Sequence, residues 1–119
     1  MDSKQFILKN KPLPKATEPI IEKMTASGQH ILFVIVGDLS LKGKYSETAL
    51  IFTETDVTTF DVSVGEAKTI PYSDMKEVQS KRMYGNATLS AIMPNGKREI
   101  FFRYTYAVAA LCDAAALFI

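Results

Sequence analysis

Apolar and polar residues follow three successive patterns along this chain, and the longest of them has the period of β-strands. From His30 to Thr105, short runs rich in Val, Ile, Phe, Thr and Tyr are broken at intervals by Gly, Asn, Asp or Pro. These runs predict strands near residues 31–40, 45–53, 57–63, 68–73, 76–84, 87–93 and 98–105. Alternation is clearest in the last two. Ala87, Leu89, Ala91 and Met93 fall on one face, and Asn86, Thr88 and Ser90 on the other. Ile100, Phe102 and Tyr104 likewise oppose Glu99 and Arg103, while Ile92 and Phe101 break the rule and are expected to pack at an edge.

Two reversals are marked by glycine. Lys42-Gly43-Lys44 joins the first two strands, and Pro94-Asn95-Gly96-Lys97 carries an Asn-Gly pair suited to the positive φ angles of a tight hairpin. Ahead of the strands, residues 1–16 have no period and contain Pro12 and Pro14, which predicts an irregular arm laid over the surface. Thr17 stands where a cap belongs, before a short helix with Glu18 and Pro19 in its first turn, Ile20, Ile21 and Met24 on its apolar side, and Gly28 at its end. Beyond the strands Thr105 offers a second cap, and Val108, Leu111, Cys112, Ala115, Phe118 and Ile119 recur at helical spacing.

The expected architecture is therefore mainly β (α+β). A single helix cannot hide both faces of a long open sheet, so about seven antiparallel strands should form a bent sheet or partly open barrel capped by the C-terminal helix. Residues 1–29 are expected to form the arm and short helix, and residues 30–119 the domain proper.

Composition narrows the possible functions. At 119 residues, with 47% hydrophobic and 23% charged, the chain suits one globular core. Fourteen Lys and Arg are interleaved with thirteen Asp and Glu, a balance that argues against nucleic acid as a partner and against direct membrane binding. The lone Cys112 has no intramolecular disulfide partner, which fits a reducing compartment. Met1 to Gln5 lacks a basic region leading into a long apolar stretch, so no secretory signal is expected. Away from the C-terminus the longest apolar run is Ile31 to Val36, far short of the roughly 18 residues of a spanning helix.

Candidate chemistry is sparse. Nucleophilic catalysis needs a base beside the nucleophile, and the single histidine, His30, opens an apolar strand where a structural role is the ordinary one. One Cys and one His far apart do not make a zinc site. The expectation is no enzyme activity, no metal and no cofactor. Lys42 and Lys44 bracket the first turn and form a weak candidate anion contact, but with only two lysines in the loop a solvated turn is the favoured reading. The final helix is less ordinary, because Asp113 is its only charged residue between Tyr106 and Ile119. Its inward stripe leaves Ala107, Ala110, Ala114 and Leu117 on or near the other side, a candidate partner-contact face on which small side chains would let a second backbone approach.

The run Val36-Gly-Asp-Leu-Ser-Leu-Lys-Gly-Lys-Tyr-Ser-Glu-Thr-Ala-Leu-Ile-Phe-Thr-Glu-Thr-Asp-Val-Thr-Thr-Phe-Asp61 resembles the opening of a bacterial domain found ahead of ABC exporter half-transporters. The likeness continues through Ile70-Pro-Tyr-Ser-Asp-Met-Lys-Glu-Val78 and Gly85-Asn-Ala-Thr-Leu-Ser90 to the closing helix, covering roughly residues 30–119. Such domains have a pleckstrin-homology-like fold and carry no catalytic residues. The resemblance implies a non-catalytic accessory or regulatory domain of an ATP-driven (permease/ATP-binding) exporter, cytoplasmic at the inner face of the membrane. Its partners would be the rest of the parent transporter chain or a second copy of the domain. The sequence ends inside an apolar helix without a Gly or Pro stop signal, as expected of a segment cut from a longer protein. The alternative is a stand-alone lipid- or ligand-binding module of the same fold.

Overall fold

The strongest apolar runs, Ile31 to Val36 and Ala49 to Phe52, supply residues to both faces of a strand, and strands of that kind belong at the centre of a sheet. A computed structural model describes residues 8–9, 13–105 and 112, and places these two runs side by side. The described elements are β1 (Leu8–Lys9), α1 (Glu18–Ala26), β2 (Ile31–Leu39), β3 (Tyr45–Thr53), β4 (Asp56–Asp61), β5 (Glu66–Pro71), β6 (Glu77–Met83), β7 (Asn86–Ile92) and β8 (Arg98–Tyr104). Seven strands form one antiparallel sheet in the order β5-β4-β3-β2-β8-β7-β6. The short β1 runs parallel to β2, with Leu8 opposite Phe33, so part of the segment expected to be irregular is a strand.

The sheet is two hairpin-built halves joined at a corner. Strands β2 to β5 pair over their length, as do β6 to β8, but β2 and β8 meet in register only at Leu39 and Arg103. The halves enclose a shared core. Ile35, Leu50, Phe52, Val57 and Ile70 from the first half pack with Leu89, Phe101, Phe102 and Tyr104 from the second. Each such side chain, fully buried, stabilises the fold by about 1.5–3 kcal/mol. On the opposite face of β2 and β3, Val34, Val36, Ala49 and Ile51 are covered by Ile21 and Met24 of α1. The helix thus uses the apolar side expected of it. Thr17, however, makes no capping hydrogen bond, is fully buried and has a helical backbone; a 3₁₀ turn over Lys15–Thr17 leads straight into α1 instead.

Both predicted glycine turns are present, with positive φ at Gly43 (83°) and Gly96 (85°). Asn95 does not share that conformation. Met93 N donates to the Lys97 carbonyl at 2.8 Å, closing a three-residue loop in which only the glycine is left-handed, and Asn95 Oδ1 accepts from Lys97 N at 2.9 Å. The edge assignment of Phe101 is corrected too. Leu89 pairs with Phe102 and Ser90 with Ile100, so a bulge at Phe101 resets the alternation; Phe101 is buried and Ile100 is 41% exposed. The predicted C-terminal helix lies outside the described residues except at Cys112, which is helical and buried in the shared core.

Candidate functional site

Antiparallel register brings three strand connections to one end of the molecule. Leu39 near the end of β2 pairs with Arg103, Tyr104 pairs with Ala87 at the start of β7, and Thr48 pairs with Asp61 at the end of β4. The β2–β3, β4–β5 and β6–β7 turns consequently form a single rim. Arg103 ties two of them together, donating from Nε to the Leu41 carbonyl at 2.9 Å and from Nη1 to Asn86 Oδ1 at 2.7 Å. Asn86 Nδ2 in turn donates to the Tyr84 carbonyl at 3.4 Å. Lys81, Thr88 and Arg103 occupy one cross-strand row, and Lys42 and Lys44 stand exposed on the adjoining turn. This side of the rim is cationic. Its nearby carboxylate, Asp38, accepts hydrogen bonds from Thr105 N at 3.2 Å and Thr105 Oγ1 at 2.5 Å.

The other side of the rim is anionic. Glu47 and Glu66 are exposed there beside Asp61, which accepts from Ser46 Oγ at 2.6 Å, Ser63 Oγ at 2.7 Å and Ser63 N at 2.9 Å. Partial burial pushes the Asp61 carboxyl upward, but those hydrogen bonds outweigh it and hold the group below its ordinary value. Four large apolar side chains stand out from the same turns: Leu41 (45% exposed), Tyr45 (86%), Val64 (61%) and Tyr84 (102%). Apolar tips interspersed with charged side chains in this way can grip a surface by contact.

Elsewhere the candidate chemistry does not converge. His30 is exposed, with Nδ1 3.4 Å from Glu54 Oε1. A shallow recess of about 550 Å³ opens between Asp74 and the β7–β8 hairpin, lined by Met93, Asn95, Lys97, Arg98 and Glu99, where Lys68 of β5 pairs with Glu99. Among the described residues, no group of three or more His, Cys, Asp or Glu could hold a metal ion, and no helix is long and apolar enough to cross a membrane.

Of the residues singled out from sequence, Lys42 and Lys44 lie on the rim, and Ala107, Ala110, Ala114 and Leu117 lie outside the described residues. Arg103, Lys81 and Tyr84 were not singled out as one group. Only the pairing register joins them to Lys42, and register across sixty residues of chain leaves no local trace.

No family model, curated protein or solved structure matches the chain. The resemblance over residues 30–119 therefore rests on the residues quoted for it, and the rim on its own geometry.

Proposed function

We propose that this chain is a non-catalytic, pleckstrin-homology-like interaction domain, an accessory to a bacterial ABC exporter, that works by protein contact through its turn rim. The observation that carries the contact surface is the gathering of Leu41, Tyr45, Val64 and Tyr84 on three turns at one end, all substantially exposed. Large apolar side chains concentrated in this way mark interaction surfaces, whereas the same residues scattered singly would mean nothing. The bent sheet with its shared core, and the helical, core-buried Cys112 after the last strand, support the pleckstrin-homology-like reading. The exporter setting comes from the sequence resemblance alone.

The cationic side of the rim, with Lys42 and Lys44 beside the exposed Leu41 on the same turn, favours one second reading: a lipid- or ligand-binding module of the same fold. Photo-crosslinking side chains placed at Tyr45 and Tyr84 in the native cell separate the two, together with the gene neighbourhood of the reading frame. Crosslinks to protein, and a frame joined or adjacent to membrane-spanning segments and a Walker A loop, are the expected outcome. Crosslinks confined to lipid, from a frame without such neighbours, overturn it.

A further inference from the structure

The rim has an order along it that matters more than its composition. Following the sheet from β5 toward β6, Glu66 and Val64 come first, then Glu47 beside Tyr45 on β3, then Lys42 and Lys44 on the β2–β3 turn. Arg103, Tyr84 and Lys81 follow. Charge therefore runs from negative to positive across one end of the molecule, with the 86%-exposed Tyr45 near the change of sign. A patch of that kind is complementary to itself. Rotation by half a turn about an axis near Tyr45 lays the acidic side of one copy over the basic side of another, twice over.

From this self-complementarity we infer that the rim is the contact surface of a symmetric dimer, its partner a second copy of this chain. The inference rests on reading the rim as a protein-contact surface and goes further by naming the occupant. In the dimer the Lys42 and Lys44 turn of each copy faces Glu47 and Glu66 of the other, and the two Tyr45 rings meet at the axis. Leu41 and Val64 are brought under cover on either side. Lys42, Lys44, Glu47 and Glu66 are all exposed and so free to reach across such a contact. An acidic partner of another kind would meet the positive half and be repelled by the negative half. A second copy satisfies both, and it also explains why the exposed apolar residues straddle the change of sign. One end of a body 42 × 30 × 25 Å across offers a small contact, so the dimer belongs to the weak class that buries less than about 1,200 Å² and is salt-sensitive.

The test uses the full chain and two double variants, Lys42→Glu with Lys44→Glu and Glu47→Lys with Glu66→Lys, each checked for its fold by circular dichroism. Sedimentation velocity is run over a wide concentration range at low and high salt. The wild type is expected to dimerise reversibly and to dissociate as salt rises. Each double variant alone should lose at least about tenfold in association, because like charges then face each other. The two variants mixed should pair with one another at least as well as the wild type pairs with itself. A wild type that stays monomeric throughout, or folded variants that fail to pair when mixed, overturns the dimer. If Tyr45 nevertheless crosslinks to another protein in the cell, the contact reading survives while this inference does not; crosslinks only to lipid remove both.

Discussion

Gly37 shows a single hydrogen in place of a methyl group setting the spacing of the core. Its backbone is ordinary strand, yet a Cβ at this position would stand 2.6 Å from Phe102 Cζ and 2.6 Å from Thr48 Oγ1. The ring of β8 thus lies directly on the backbone of β2, close to Leu39 and Arg103, the one in-register pair between β2 and β8 among the described residues. Gly37→Ala is expected to destabilise the fold by about 1–3 kcal/mol, as overpacking does, measured by urea unfolding. An unchanged midpoint would show that the ring has room to retreat. Tyr72 gives a second expectation at this scale. Burial, and then the charge of Asp56, push its phenol up to about 12, and the hydroxyl donates to the Thr53 carbonyl at 2.7 Å. Since the folded value lies above the ordinary 10.0, the contribution to stability is complete below that pH and is lost as pH rises toward about 12. Ultraviolet titration should show a late phenolate step that Tyr72→Phe removes.

At the scale of elements, the bulge in β8 decides which side chains are structural. Strict alternation assigns Ile100 to the core and Phe101 to an edge, whereas the extra residue at the bulge exposes the first and buries the second. Ile100→Thr should therefore change stability by no more than about 0.5 kcal/mol, while Phe101→Ala should cost about 3–5 kcal/mol by thermal or chemical unfolding. The reverse ranking would restore the regular register. This strand marks the boundary of what the sequence discloses. Runs such as Ile31 to Val36, the apolar side of α1 and the glycines at 43 and 96 were legible because period and turn chemistry are local. A bulge depends on the neighbouring strand, and β1 depends on a free edge of β2, so neither leaves a periodic mark. The rim was legible only in part. Lys42 and Lys44 announce themselves beside a glycine, but Arg103 and Tyr84 join them through pairings that no window of sequence contains.

For the molecule as a whole, the two halves are held by very different means along their border. Backbone pairing contributes one matched pair, Leu39 with Arg103. Side chains supply further links: the shared apolar core, the Thr59 hydroxyl donating to the Phe101 carbonyl at 2.8 Å, the Lys68 to Glu99 pair, Arg103 donating to the Leu41 carbonyl, and Asp38 accepting from Thr105. The unity of the fold therefore depends on burial more than on a continuous ladder, and neither half can cover its inner face unaided.

That division suggests where the chain could be opened without losing the structure. Tyr72 belongs to the first half, with its N donating to the Thr55 carbonyl at 3.0 Å, and Lys76 to the second, with its N donating to the Ile92 carbonyl at 2.7 Å. A break after Asp74 crosses no strand. Residues 1–74 and 75–119, produced as separate polypeptides, should each remain largely unstructured and should assemble into the native sheet when mixed, detectable by the return of ordered near-ultraviolet circular dichroism. Pieces that stay unfolded together would mean that the covalent joint itself is required. Pieces that do assemble would make this small domain a two-part adhesive, able to report the meeting of any two proteins to which its halves are fused.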